Sequence, residues 1–148
     1  MKTLFTSLAI VLTSLLCLNV NAQNKLTVQV TDLEASKGKL MIAIFDSEQN
    51  FMTERSIGQR VDINGTTAET TFDNLKPGKY AVIFFQDENN NYNIDLGEMG
   101  IPTEKYGFSN NVDPAKIGHK PTFDECSFAI DSDTTITIKA CSAVTQQK

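Results

Sequence analysis

The chain has 148 residues and carries 18 acidic against 13 basic side chains, a formal net charge of −5 at pH 7. An acidic protein is repelled by nucleic acid and by anionic lipid surfaces, so both are disfavoured as partners and cations are favoured. The length is that of one domain with a hydrophobic core of its own.

The amino terminus has the order of a secretory signal. Residues 1–3 contain a lysine, residues 4–18 are apolar, and small residues precede Gln23, which predicts cleavage after Ala22. An apolar stretch of roughly 15 residues is shorter than the roughly 20 that span a bilayer as a helix. We therefore expect a signal peptide at residues 1–22 and a periplasmic or secreted mature chain without a transmembrane segment.

The mature chain begins with two predicted strands. Residues 25–33 alternate apolar with polar side chains and are rich in β-branched residues, a pattern typical of a half-buried strand. Residues 38–45 are apolar on both faces, as expected for a central strand of a sandwich. Residues 47–58 show no clear period and are predicted to form a loop.

Turn residues separate the next strands. Asn64-Gly65 lies between residues 61–63 and 67–72 and predicts a tight hairpin, because both residues tolerate positive φ. Pro77-Gly78 fits the centre of a type II turn ahead of the apolar strand at residues 80–85.

The carboxyl-terminal part of the chain predicts one more pair of strands. Residues 126–130 and 135–139 are expected to pair across the turn at residues 131–133. About seven short strands with turns between them predict an all-β fold, an antiparallel β-sandwich in which residues 23–148 form a single domain. Between residues 85 and 126 a long loop is expected, and such a loop in a small domain is usually functional.

Two cysteines, Cys126 and Cys141, remain after loss of the signal. In an oxidising compartment an even number is compatible with one disulfide. The spacing alone does not show that the two Cβ atoms meet, so two small buried thiols are the alternative.

The long loop opens with a pattern that resembles a calcium-binding EF-hand loop. Counted from Asp87 as position 1, oxygen-bearing side chains fall at positions 1, 3, 5, 9 and 12, and position 7 offers its backbone carbonyl. Alternate residues of a tightly curled loop point inward and surround a hard cation with oxygens. The predicted calcium ligands are Asp87, Asn89, Asn91, Asn93, Asp95 and Glu98.

Two features depart from an EF-hand. Position 6 is Tyr92, where the sharp turn favours glycine, and a strand rather than a helix leads into Asp87. With few carboxylates, the expected affinity is weak, with a dissociation constant of about 10⁻⁴ to 10⁻³ M. The alternative interpretation is a solvated turn, which is what asparagine-rich stretches usually are.

Several motifs make the chain similar to an exported bacterial family, domain of unknown function 2141. They are Gly38-Lys39-Leu40 with the strand to Phe45, Leu75 to Tyr80, Asp87 to Asp95, Gly100-Ile101-Pro102, Glu104, and Tyr106 to Asn110. The resemblance implies an exported protein of Gram-negative type bacteria with an immunoglobulin-like or transthyretin-like sandwich. It implies no assigned activity.

Three further features are candidate functional groups. Tyr106 and Phe108 are a candidate ligand surface for a sugar or peptide, although such aromatic pairs more often close the end of a sandwich. Glu104 beside Lys105 is interpreted as a surface charge. His119 stands alone in a loop and, with two cysteines, makes a poor zinc set.

These observations predict a non-catalytic module of the cell envelope, with a calcium-binding loop and a glycan or an envelope protein as partner. The alternative from another class is a small carboxylate-based, glycosidase-like hydrolase. Its acidic pair would come from Asp87, Asp95, Glu98 and Glu104.

Overall fold

The computed structural model describes residues 23–142, which form two packed β-sheets with short helical turns. The predicted signal peptide at residues 1–22 lies outside the described residues. The strands are β1 (Asn24–Thr31), β2 (Lys39–Phe45), β3 (Ile57–Asp62), β4 (Ala68–Leu75), β5 (Gly78–Asp87), β6 (Tyr106–Phe108), β7 (Phe128–Ile130) and β8 (Thr134–Lys139). The helices are α1 (Pro114–Ile117) and α2 (Phe123–Cys126), with 3₁₀ turns at Glu98–Gly100 and Ser109–Asn111.

One sheet has three strands in the order β4-β1-β8, and the other has the order β3-β2-β5-β6 with β7 also paired to β5. β1 and β8 are parallel, and the other pairs are antiparallel. The predicted all-β sandwich is therefore confirmed, with eight strands and one parallel pair among residues 23–142.

The main core lies between the two sheets. β1 buries its alternate residues, among them Leu26 and Val28, against the inward row of β2 that includes Leu40 and Ile42. This is the period-two pattern expected from the sequence, since successive side chains of a strand point to opposite faces.

A second hydrophobic cluster covers part of the outer face of the five-stranded sheet. Phe45 and Phe108 from the sheet are buried with Phe123 of α2, and Phe51 from the loop after β2 packs against them. The Phe51 ring makes edge contacts with Phe45 at 5.5 Å and with Phe123 at 5.8 Å between ring centroids. The long segment after β5 therefore packs as a second layer over the sheet and is not a loop without a structural role.

Strand pairing differs from the expectation at the last two strands. β7 pairs with β5 and β8 pairs with β1, so they lie in different sheets and do not pair with each other. The turn at residues 131–133 therefore crosses the sandwich. The prediction of a final hairpin was wrong because turn chemistry marks where a chain reverses and not which strand it meets next.

Two predicted turns also cross between the sheets. Asn64 and Thr67 exchange backbone hydrogen bonds of 2.8 and 3.2 Å around Gly65, which has a φ of +62°. The tight turn is present, but β3 and β4 belong to different sheets and separate beyond it. Gly78 does not adopt positive φ, so the predicted type II turn is wrong, and Asn74 takes the left-handed conformation at 63° instead.

Candidate functional site

The predicted calcium loop begins at the last residue of β5. Asp87 is fully buried, and its two carboxylate oxygens accept hydrogen bonds from the backbone N–H groups of Asn91 (2.9 Å) and Tyr92 (3.0 Å). These bonds curl the chain back over the end of the strand. Tyr92 has a φ of 68°, so position 6 has the left-handed conformation that usually requires glycine.

Three further candidate ligands are joined by hydrogen bonds between their side chains. The side-chain amides of Asn89 and Asn91 donate to the two carboxylate oxygens of Asp95, at 2.6 and 2.8 Å. The amide oxygen of Asn89 accepts from the backbone N–H of Asn91, and that of Asn91 accepts from the backbone N–H of Asn93. The side chains at positions 1, 3, 5 and 9 are therefore linked in one hydrogen-bonded cluster.

The last two predicted ligands lie apart from this cluster. The Asn93 side chain is exposed and donates to the backbone carbonyl of Asn91 at 3.0 Å, which leaves its own carbonyl as the group relevant to a cation. Glu98 is exposed at the start of a 3₁₀ turn, and no described hydrogen bond joins its carboxylate to the loop.

Glu104 is the residue that the sequence interpretation placed wrongly. It is 5% exposed, and its carboxylate accepts hydrogen bonds from the backbone N–H groups of Glu88 (2.9 Å) and Asp95 (3.0 Å). Glu104 is therefore buried and joins the two arms of the loop by hydrogen bonds, and it is not a surface charge. Its partners lie 16 and 9 residues away, so neither periodicity nor spacing could have revealed the role.

Two residues from neighbouring segments fix the ends of the loop. A Cβ added to Gly38 would lie 1.9 Å from the backbone oxygen of Asp87, so only glycine allows these two segments to approach so closely. At the tip, the Arg60 guanidinium lies over the Tyr92 ring at 4.6 Å and donates to the Asn90 amide oxygen at 2.8 Å.

The donor set of the loop consists of oxygens. Carboxylate, amide and backbone carbonyl oxygens are the ligands that hard cations such as calcium prefer. Within residues 23–142 no group of three or more histidine, cysteine, aspartate or glutamate side chains is placed to hold a metal ion. A cation at this loop would therefore depend on the amides of Asn89 and Asn91 together with the carboxylates of Asp87 and Asp95.

Beside the loop, the outer face of the five-stranded sheet carries an open groove of about 1450 Å³. Tyr106 and Phe108, the candidate ligand surface, line this groove but are only 7% and 8% exposed. Their rings make an edge contact at 6.0 Å. The pair is thus mostly committed to the second hydrophobic cluster.

A family model described as an uncharacterized protein conserved in bacteria, domain of unknown function 2141, matches residues 28–138. The chain belongs to this family. The resemblance expected from the motifs is therefore confirmed. The range that matches the family model contains the whole loop from Asp87 to Glu98 and also Glu104. No curated protein and no solved structure matches the chain.

Cys126 and Cys141 of this family member are free thiols in the structure, not a disulfide. Cys126 ends α2 with no exposed surface, and burial raises its pKa to about 12. Cys141, beyond the matched range, is partly exposed, packs against the same cluster and has a pKa raised by burial. Both thiols therefore pack as small apolar groups. Two small thiols were the alternative to a disulfide that the spacing left open.

No helix among residues 23–142 of this family member is long and apolar enough to cross a bilayer.

Proposed function

We propose that this protein is an exported, non-catalytic binding module of the cell envelope whose loop from Asp87 to Glu98 binds calcium. The proposal includes export by a signal peptide at residues 1–22 and a glycan or an envelope protein as the partner of the loop end. The supporting observation is the hydrogen-bonded cluster of Asn89, Asn91 and Asp95, to which the Asn91 backbone N–H links Asp87.

The curl of the loop supports the proposal. The Asp87 carboxylate is held by two backbone N–H groups, and Tyr92 accepts the left-handed conformation at the sharp turn. Each of these carboxylate oxygens keeps a second lone pair for a cation. Binding would replace the amide-to-carboxylate hydrogen bonds of Asp95 by metal bonds, so part of the binding energy is offset.

Only two carboxylates belong to the cluster, which sets the expected affinity. Calcium sites with few charged ligands bind with dissociation constants of about 10⁻⁴ to 10⁻³ M. Such a site is filled outside the cell, where calcium is abundant, and a role in fixing the loop suits an exported module.

Calorimetric titration of the exported protein tests the proposal. We expect calcium to bind with a dissociation constant in the range given above, and Asp95→Asn to reduce the affinity by at least about tenfold. Asp131→Asn is the matched control and should leave binding unchanged, because this exposed carboxylate follows β7, which pairs with the start of β5 and not with the end that leads into the loop. Absence of calcium heat, or an equal effect of both substitutions, refutes the calcium proposal.

The hydrolase alternative receives less support from the same contacts. Asp87 and Glu104 are buried, and all the oxygens of their carboxylates accept backbone hydrogen bonds. A general acid or base must reach the substrate directly or through one water. Hydrolysis of a glycan panel that is abolished by Glu104→Gln in a still folded protein would reverse this ranking.

A further inference from the structure

The groove beside the loop has an apolar floor that the second layer covers only in part. Met41 and Ala43 of β2 and Ile83 and Phe85 of β5 line it from the outer side of the sheet, and all four are only half-buried. Among the described residues, four large hydrophobic side chains are exposed, and three of them line this groove: Tyr92, Leu96 and Ile101. Exposed apolar surface concentrated in one place marks a binding site.

The charge of the groove is opposite to that of the molecule. The chain has more acidic than basic residues, yet no aspartate or glutamate is among the described residues that line the groove. Arg55, Arg60 and Lys120 do line it, and Arg55 and Arg60 are both of the arginines in the chain. His119 also lines it and lies 3.4 Å from the Glu125 carboxylate, which is outside the groove.

Arg55, Arg60 and Lys120 have no acidic partner in the part of the chain that the structure describes. Six of the described lysines form ion pairs, whereas Arg55, Arg60 and Lys120 form none among residues 23–142. Arg60 uses its guanidinium on the neutral Tyr92 hydroxyl and Asn90 amide. Arginine presents a planar fork of donors that suits a carboxylate, so the rim offers unused charge to an anion.

We propose that the groove binds a medium- to long-chain carboxylate, a ligand of the fatty-acid class. Its acyl chain would lie on the floor formed by β2 and β5, where burial of apolar surface is favourable. Its head group would meet the arginines of the rim. The floor offers aliphatic and aromatic carbon rather than the polar side chains that a sugar needs, and the volume of the groove exceeds the 300 to 1000 Å³ of common ligand pockets.

Decanoate is the probe, titrated calorimetrically into the exported protein below its micelle concentration and in the presence of a chelator. The chelator prevents calcium soaps and separates this test from the calcium proposal, which is measured independently. Decan-1-ol and decyltrimethylammonium have the same chain with a neutral and a cationic head. We expect decanoate to bind at least about tenfold more tightly than either, because the hydrogen bonds of a charged head are the strong ones.

Variants of the rim test the source of this preference. Arg55→Gln keeps most of the stem and removes the charge without touching the loop, and it should weaken decanoate binding by about tenfold while decanol binding stays the same. Lys79→Gln, an exposed lysine outside the groove, is the control and should change neither.

Three outcomes would overturn the inference. One is the absence of decanoate binding, and another is equal affinity for the three head groups. The third is a set of ligand-induced amide shifts in the nuclear magnetic resonance spectrum that maps to β1 and β4 instead of Ala43 and Phe85.

Discussion

Replacing Glu104 by glutamine is expected to loosen the loop and destabilise the protein. The carboxylate accepts the backbone N–H groups of Glu88 at 2.9 Å and Asp95 at 3.0 Å. Glutamine has almost the same shape but offers one neutral oxygen, and its NH₂ group must face one of the two N–H donors. One hydrogen bond is lost and the other is weakened.

The size of the effect follows from these two bonds. A hydrogen bond to a charged group contributes about 1.5 to 3 kcal/mol when its surroundings are buried. Glu104 is 5% exposed but both donors lie in partly buried surroundings, where water replaces some of the loss. We therefore expect Glu104→Gln to lower the free energy of unfolding by about 2 kcal/mol.

Urea denaturation measures this change, with Glu98→Gln as the matched control in the same loop. Glu98 is exposed and its substitution should change the free energy of unfolding by less than about 0.5 kcal/mol. Because a loop can open before the whole domain unfolds, hydrogen exchange should be followed at the Glu88 and Asp95 amides. We expect faster exchange at both in Glu104→Gln. The role assigned to Glu104 is refuted if both glutamine variants behave alike.

Three other predictions concern the thiol, a glycine and a helix cap. Burial raises the pKa of Cys126 to about 12. Iodoacetamide at pH 8 should therefore alkylate this thiol only after the protein is denatured. Rapid alkylation in the native protein would contradict its buried position. Gly38→Ala should lower the free energy of unfolding by at least about 2 kcal/mol, because the new Cβ would meet the Asp87 oxygen at 1.9 Å. The control Gly78→Ala should be close to neutral, because its Cβ would lie 3.6 Å from the nearest atom and Gly78 has no positive φ. Urea denaturation measures both changes. The pKa of Glu125 is lowered by the hydrogen bonds that it accepts from the residue capping α2. Its charge therefore stabilises the fold above the ordinary glutamate pKa and stops doing so as pH falls through the lowered one. Urea denaturation of Glu125→Gln should show a deficit at pH 7 that disappears in acid, and a deficit independent of pH would contradict the cause assigned.

Local patterns predicted β1 and β2 well, because alternation of apolar and polar residues reports directly on which side of a strand is buried. They did not predict β6, and they placed most of β3 outside its predicted strand at residues 61–63. Residues 25–33 and 38–45 became β1 and β2 within one or two residues. The sequence also showed that the outward-facing side chains of β2 are apolar. They are apolar because the second layer packs on that face of the sheet.

The strand partners of β7 and β8 and the hydrogen bonds of Glu104 could not be predicted in this way, because they depend on residues far apart in the chain. β7 and β8 are separated by a short turn, yet their partners β5 and β1 begin at Gly78 and Asn24. The acidic side chain of Glu104 gave no local sign of burial. The order of oxygens in the loop was readable, but the closeness of Asn89 and Asn91 to Asp95 appeared only in three dimensions.

Thermal unfolding in calcium and in chelator tests the central proposal most directly. A ligand that binds only the folded form stabilises it by mass action, so about 10 mM calcium and a dissociation constant of about 10⁻⁴ to 10⁻³ M should add about 1.4 to 2.7 kcal/mol. For a domain of this size that corresponds to a rise of about 4 to 10 °C in melting temperature. We predict such a rise with calcium and its loss in Asp95→Asn. An unchanged melting temperature in calcium and chelator would contradict the proposal.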